Sequence, residues 1–170
     1  MTFMTFYDLY SEKDREIITD IRDSFEQEFT MRSYDEVSNR IVFVFKHYSL
    51  THLISITCRG NVLRVHSHKL MYLKQWTKEL SKNIAGLNLL LEIGSFVTLP
   101  HMDMIYFSLT VPLYEKPPRE FVLQLIAYSL YALDEYVPEI FRRASRLGLV
   151  QNVCTAEEYS EDKNMEYFYR

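Results

Sequence analysis

Residues 117–144 read PPREFVLQLIAYSLYALDEYVPEIFRRA, and this stretch decides the fold because it predicts one long helix with an extensive apolar surface. Pro118 suits the first turn of a helix, where the N–H that proline lacks has no intrahelical partner. At about 100° per residue, one stripe of apolar side chains runs along the helix and predicts that it lies on a sheet. The stripe consists of Val122, Leu125, Ile126, Leu133, Tyr136, Val137 and Ile140.

The apolar arc of this helix is wider than a single packing surface requires. It spans roughly 220°, whereas an arc of ~100° or more is typical of a helix that lies on one core. We expect the first helix of the chain or a second protomer to cover a flank. Ala132 and five larger residues widen the stripe, and the five larger ones are the candidates for a partner-binding or dimer surface: Phe121, Leu123, Tyr128, Leu130 and Phe141.

Pro138 interrupts the same helix pattern. A proline inside a helix removes one hydrogen-bond donor and crowds the carbonyl group four residues earlier, here that of Asp134. The sequence therefore predicts a kink or a break at Pro138, with IFRRASRLG as a separate final piece.

Three strands are predicted upstream from their β-branched and aromatic residues: Ile41–Lys46, Leu50–Cys58 and Asn61–His68. Gly60 supplies the positive φ that a tight hairpin needs, so Arg59-Gly60 is predicted as a two-residue loop. This loop predicts three cross-strand pairs: Cys58 with Asn61, Ile56 with Leu63, and Ile54 with Val65.

The two-residue period of a strand then assigns these side chains to two faces. Ile54, Ile56, Leu63 and Val65 share one face, which is predicted to belong to the core. The opposite face is expected to be mostly solvated, and it carries Ser55, Thr57, Arg64, His66 and His68.

The remaining elements follow from caps and periodicity. Ser11 is predicted to cap a first helix with an apolar stripe, and residues 30–40 are predicted as a polar connection with room for a short extra strand. Met71–Ala85 is predicted as a helix that stops at Gly86. Leu87–Leu99 and Met104–Leu113 are predicted as a hairpin of two strands around residues 100–103.

The resulting order is α-β-β-β-α-β-β-α, and the fold class is α+β, with one antiparallel sheet and flanking helices. Residues 1–148 are predicted to form a single domain, which is long enough for a sizeable core. Residues 149–170 are acidic and aromatic, and they are predicted to be a tail that is flexible or packed on a partner.

Composition excludes some classes of partner. The 170 residues carry a formal net charge of −4, which is unsuited to binding a phosphate backbone, so we expect no nucleic acid. No segment approaches the ~18 consecutive apolar residues of a membrane span, and the first residues lack the pattern of a secretory signal. The two cysteines, Cys58 and Cys154, are expected to be free thiols in a reducing cytoplasm.

The candidate chemical groups are few. His66 and His68 share a strand face and suit a transition metal only if another ligand converges, so solvated histidines are favoured. Nothing in the sequence around Cys58 lowers the pKa of its thiol, which favours a small apolar role. Asp134-Glu135 is interpreted as the polar edge of a helix, since adjacent helical residues point about 100° apart. We expect no catalytic residue, no metal, no cofactor and no enzymatic activity.

The segment NLLLEIGSFVTLPHMDMIYFSLTVPL, followed by a proline-started helix that ends in YALDEYVPEIFR, resembles the YbjN branch of the type III secretion chaperone-like superfamily. The resemblance covers about residues 7–145, and the best local likeness runs from Asn88 to Phe96, from Met104 to Leu113 and from Ala132 to Phe141. It implies an N-terminal helix, three antiparallel strands, a helix, two strands and a long last helix. It also implies a non-enzymatic binding protein, often a homodimer, that holds an extended partner segment.

Two functional hypotheses remain open at this point. The first is a cytoplasmic protein-binding module, chaperone-like or regulatory, that acts as a homodimer and exposes an apolar patch on the protomer. A toxin-neutralising or phage-type adaptor would share this binding physics. The alternative is a small-molecule-binding protein or an enzyme with a site near His66 and His68, where polar side chains would converge in a deep pocket.

Overall fold

The computed structural model describes residues 10–47, 50–68, 70–99 and 103–153. In these ranges the chain forms three helices, α1 (Glu12–Phe25), α2 (Lys78–Asn88) and α3 (Arg119–Arg146). The strands are β1 (Thr30–Asp35), β2 (Arg40–His47), β3 (Leu50–Arg59), β4 (Val62–Ser67), β5 (Met71–Leu73), β6 (Ser95–Leu99), β7 (Met104–Pro112) and β8 (Val150–Val153).

The strands belong to one antiparallel sheet with the order β1-β2-β3-β4-β7-β5-β8, and β6 pairs with β7 beside this path. Buried side chains of all three helices form one cluster with one face of the sheet, represented by Phe43, Ile56, Val65 and Phe107. The α+β class with an antiparallel sheet and flanking helices is therefore confirmed.

The β3–β4 hairpin has the predicted faces but a different register. Its loop is Gly60-Asn61, and both residues have φ = +59°, the left-handed geometry that suits a two-residue hairpin turn. The predicted Arg59-Gly60 loop is wrong, because Arg59 pairs with Val62. The observed pairs are Cys58 with Leu63, Ile56 with Val65, and Ile54 with Ser67. The shift is two residues, so each side chain stays on its predicted face.

Two segments predicted as connection or helix are strands. Thr30–Asp35 is β1, which pairs with β2. It is the short extra strand that the sequence allowed within residues 30–40. Met71–Leu73 is β5 rather than the start of a helix, and its place beside β7 and β8 buries Met71. The second helix starts later, after Thr77, whose hydroxyl accepts a hydrogen bond from the N–H of Leu80.

The second predicted hairpin is confirmed only in part. β6 and β7 pair as expected, with Leu99 opposite Met104. Leu87, however, lies buried in the last turn of α2. The residues from Leu89 to Gly94 form a loop rather than the start of a strand. The predicted stop at Gly86 is wrong because α2 continues to Asn88, which brings Leu87 into the core.

Helix α3 runs without interruption through Pro138, so the predicted break is wrong. The proline is exposed, and therefore its ring displaces no packed side chain. Beyond it, Ile140 and Ala144 are fully buried and continue the apolar stripe. Burial of these two side chains offsets the missing backbone hydrogen bond.

The structured part of the chain extends past Gly148. Leu149 is buried in the core, and Val150–Val153 forms β8, which pairs with β5. Residues 154–170, the rest of the predicted tail, lie outside the described residues. None of the helices in the described ranges combines the length and the apolar character that crossing a membrane requires.

Candidate functional site

The face of the sheet opposite the helices, which we call the polar face, carries a row of hydroxyl and imidazole groups. Ser55 of β3 pairs with His66 of β4, and His66 pairs with Ser108 of β7, so these three side chains lie side by side. Parallel to this row, Thr57 pairs with Arg64. The regular pairing of the strands therefore groups side chains that are far apart in sequence.

The part of the polar face on β2 and β3 is buried, so the prediction that this face is mostly solvated is wrong, while Arg64, His66 and Ser108 are half-buried. Ser55 and Thr57 are 1% and 3% exposed, and their apolar neighbours Val42 and Leu53 are 2% and 3% exposed. Val42 and Leu53 do not belong to the cluster that the helices form with the sheet. The β2 and β3 part of this face is thus a second buried surface, separate from the helix-covered core.

The two histidines of the polar face are neutral at pH 7. Burial, with a contribution from Arg64, lowers the pKa of His66 from 6.5 to about 4. Burial, followed by the positive charges of Arg40 and Arg32, lowers the pKa of His68 to about 4. The interpretation of these residues as solvated histidines is therefore wrong, because the pKa of a solvated imidazole stays near its ordinary value.

The surroundings of His66 consist of groups that donate hydrogen bonds or stack. The ring of Tyr106 lies 5.9 Å from the His66 ring in an edge arrangement. Within the described part of the chain, Nδ1 of His66 is buried without a hydrogen-bond partner. The same residues hold no group of three or more His, Cys, Asp or Glu side chains arranged for a metal ion.

His52 lies on the helix-covered side of the sheet, opposite to His66 and His68, as the strand period predicts. Its Nε2 is 2.8 Å from Oδ1 of Asp134 in α3. Asp134 was interpreted as part of a polar helix edge, and its pairing with a buried histidine of β3 was missed because the partners are 82 residues apart. The pair connects α3 to the sheet.

Cys58 has the surroundings of a structural thiol. It is fully buried, and its Sγ lies 3.3 Å from Oδ1 of Asp14. Burial and the neighbouring carboxylate raise the pKa of the thiol to about 12. A nucleophilic cysteine needs a lowered pKa and access to substrate, and Cys58 has neither.

The five α3 residues predicted to form a partner surface occupy two environments. Phe121, Leu123, Tyr128 and Leu130 are partly buried and pack against the core, whereas Phe141 is 38% exposed. The hydroxyl oxygen of Tyr128 accepts hydrogen bonds from the N–H groups of Glu92 and Ile93, at 2.9 and 3.2 Å. Tyr128 therefore fixes the loop that follows α2.

This loop and α3 together present an apolar surface, the loop patch, formed by Leu89, Leu90, Ile93 and Tyr131. Their exposed fractions are 87%, 64%, 44% and 58%. The Tyr131 ring lies 6.4 Å from the Tyr128 ring, which connects it to the loop. The leucine run at 89–91 was assigned to a strand, so the sequence analysis missed that two of these leucines are exposed.

The loop patch is anchored at both ends. Oδ1 of Asn88 accepts a hydrogen bond from the N–H of Phe96, and its Nδ2 donates one to the Phe96 carbonyl. Gly94 has φ = +74° and lies so close to Phe107 that a Cβ would be 2.6 Å from that ring. The exposed leucines are thus presented on a fixed backbone.

A cleft of about 690 Å³ lies between α1 and the start of α3. Most of its charged lining residues pair within the protein: Lys116 with Asp20, Arg119 with Glu28, and Asp23 with Arg22. Glu115 is the exception among the described lining residues. Because most of these charges already neutralise one another, the cleft is a weak candidate for a ligand site.

The comparisons with known proteins concern the fold. No family model matches the sequence, and no curated protein matches it. The structure is similar to the crystal structure of YbjN from E. coli, described as a "putative transcription regulator", with a TM-score of 0.52. The two chains are 9% identical, and the similarity covers 80% of this chain and 94% of that one. The YbjN-like fold that the sequence resemblance implied is therefore confirmed.

Proposed function

We propose that this protein is a cytoplasmic, non-enzymatic protein-binding module, chaperone-like or regulatory, that acts as a homodimer. The observation that carries the proposal is the loop patch. Four large side chains without charge are 44% to 87% exposed at one place, Leu89, Leu90, Ile93 and Tyr131. Grouped apolar exposure of this kind is typical of protein–protein interfaces.

The patch also has the rigidity that an interface favours. Tyr128 and Asn88 fix the loop by hydrogen bonds to backbone groups of residues 92, 93 and 96. A fixed loop loses little conformational entropy on binding, so more of the gain from apolar burial remains as affinity. Tyrosine is moreover enriched among residues that dominate binding energy.

A second copy of the chain is the occupant that we propose for the patch. A two-fold axis beside it would place the aliphatic loop of one protomer against Tyr131 of its partner, and each patch would cover the other. The four side chains that define the patch are uncharged, and the exposed Glu92 lies between Leu90 and Ile93 in the same loop. The regulatory description of YbjN, whose fold this chain shares, agrees with a binding role.

The test is sedimentation velocity on the full chain from micromolar to submillimolar concentration. We expect a dimer whose dissociation constant increases by tenfold or more, about 1.4 kcal/mol, in Leu90→Asp. Val37→Asp is the matched control, since Val37 is 43% exposed in the turn between β1 and β2, away from the patch. It should leave dimerisation unchanged. A wild-type chain that stays monomeric, or equal effects of both variants, would overturn the homodimer.

A second candidate function is small-molecule binding, with or without catalysis, on the polar face. It is favoured by the buried and neutral His66 and His68 beside Arg64, Ser55 and Ser108. Arg64 makes an anionic compound the first probe, so the imidazole NMR signals of the full chain are followed while inorganic phosphate and acetate are added. Saturable shifts of the His66 signals support this function. Unchanged signals with both anions count against it.

A further inference from the structure

The side of α3 that faces away from the sheet is exposed along the whole helix. Its exposed residues recur at intervals of three and four, so they form one continuous stripe, which we call the outer stripe. Tyr131 belongs to both the outer stripe and the loop patch. The charged members of the stripe are Glu120, Glu135, Arg142 and Arg146, and Gln124 and Tyr131 lie between the two glutamates.

The charges of the outer stripe are separated along the helix. Glu120 lies in the first turn and Glu135 just past the middle, whereas Arg142 and Arg146 lie in the last two turns. This order complements the dipole of α3 itself. It also makes the stripe complementary to an antiparallel copy of itself, because the acidic part of each helix then faces the basic part of the other.

The two charges at the ends of the stripe are available for a partner. Within the part of the chain that the structure describes, neither Glu120 nor Arg146 forms an ion pair. Arg142, in contrast, binds the carboxylate of Glu139 through two hydrogen bonds.

We propose that α3 packs antiparallel on α3 of a second copy of the chain, with the two-fold axis at the level of Leu133. This inference rests on the homodimer proposed above and specifies its geometry. Positions equally far from Leu133 in opposite directions then face each other. Glu120 lies opposite Arg146 of the partner subunit, Gln124 lies opposite the partner's Arg142, and Tyr131 lies opposite the partner's Glu135.

The loop patch selects this register. An axis at Leu133 passes about 3 Å along the helix from Tyr131, so the loop patches of both protomers lie beside it. A register shifted by three turns would instead place Glu135 opposite the partner's Arg142. It would move Tyr131 about 11 Å from the axis, and its arginine is the one that Glu139 already binds.

The ends of the two helices are close enough for the proposed ion pairs. Glu120 and Arg146 are each about 20 Å along the helix from Leu133. Helices commonly pack at a crossing angle of about 20°, at which long side chains still meet at this distance from the axis. Exposed ion pairs add little affinity, whereas like charges brought together across an interface weaken binding more strongly. Reversing a charge is therefore a sharper test than removing it.

The test is sedimentation velocity on full chains that carry Glu120→Arg or Arg146→Glu. Each variant alone brings like charges together twice in the dimer, so its dissociation constant should increase by about tenfold or more at low salt. The 1:1 mixture forms a heterodimer with opposite charges at both contacts, and it should dimerise about as tightly as the wild type. Reversal also opposes the dipole of each helix, but mixing two chains cannot remove that effect.

A matched control changes the same charges elsewhere. Glu36→Arg and Lys46→Glu reverse two exposed charges on either side of β2, away from α3. Both variants should dimerise like the wild type, alone and mixed.

A second pair of variants tests the register shifted by three turns. Glu135→Arg and Arg142→Glu should dimerise no more tightly when mixed than either does alone. Rescue by this mixture, or no rescue by the mixture of the Glu120 and Arg146 variants, overturns the proposed register. If Leu90→Asp still weakens the dimer in that case, the homodimer itself stands.

Discussion

The carboxylate of Asp14 in α1 accepts a hydrogen bond from the backbone N–H of Gly60, at 3.0 Å, across 46 residues of sequence. The same side chain accepts bonds from the N–H groups of Asn61 and Ser11 and from the Ser11 hydroxyl. One acidic residue thus completes the capping box of the first helix with Ser11 and closes the β3–β4 turn. Its own exposure is 1%.

Replacing Asp14 with Ala should lower the free energy of unfolding by about 2–4 kcal/mol, because several buried donors lose their acceptor at once. Urea denaturation followed by circular dichroism measures this. Glu12→Ala is the matched control in the same helical turn. Glu12 is exposed, so the change should be within about 0.5 kcal/mol. Equal effects of the two variants would contradict the role assigned to Asp14.

The stability of the protein should fall as the pH decreases from about 6.5 towards about 4. His66 and His68 have pKa values lowered from 6.5 to about 4 in the folded state. Between these values the unfolded chain binds more protons, so acid favours unfolding. The double variant His66→Asn/His68→Asn should lose less stability over this range. Urea denaturation at several pH values measures the slope, and an identical slope in both proteins contradicts the buried neutral state.

Cys58 should be inert towards thiol reagents in the folded protein. Its pKa is raised to about 12 by burial and by Asp14, so almost no thiolate exists near pH 8. Ellman's reagent on the Cys154→Ser variant is expected to show no reaction in native buffer and one thiol in urea. Rapid reaction in native buffer would show that Cys58 is accessible.

Two glycines should respond to alanine in opposite directions. Gly94→Ala places a Cβ 2.6 Å from the fully buried Phe107 at a positive φ, so it should cost about 1–3 kcal/mol. Gly86→Ala lies in α2 with nothing within 4 Å of the added Cβ, so it should stabilise by about 0.5–1 kcal/mol. Thermal unfolding of both variants measures the two signs, and a common sign contradicts the loop geometry.

Pro138→Ala should raise the free energy of unfolding by about 1–3 kcal/mol. Alanine restores the hydrogen-bond donor in a continuous helix, and the exposed proline ring contributes no packing that would be lost. Urea denaturation checks this against Ala127→Pro, an exposed position of the same helix where proline should destabilise strongly. A loss of stability in Pro138→Ala would show that the proline supports its neighbours.

The sequence by itself determined the kinds of most of the longer elements and the faces of β3 and β4. The side chains of β3 and β4 alternate with a period of two, a local property, so Ile54, Ile56 and Val65 lie on the core face as predicted. The two-residue error in register did not change this, since a shift by two keeps the alternation. The helix at residues 119–146 could be predicted because its periodicity is likewise a local property of the sequence.

The tertiary structure decided what depends on residues far apart in the chain. The carboxylate of Asp14 fixes the turn at Gly60-Asn61 by accepting hydrogen bonds from both backbone N–H groups. Helix α3 continues past Pro138 because Ile140 and Ala144 are buried in the core. A polar strand face is solvated by default, and only the packed chain shows that Ser55 and Thr57 are buried. The local periodicity of a sequence predicts which side chains share a face. Whether that face is buried depends on residues far away in the chain, because they supply the surface that packs against it.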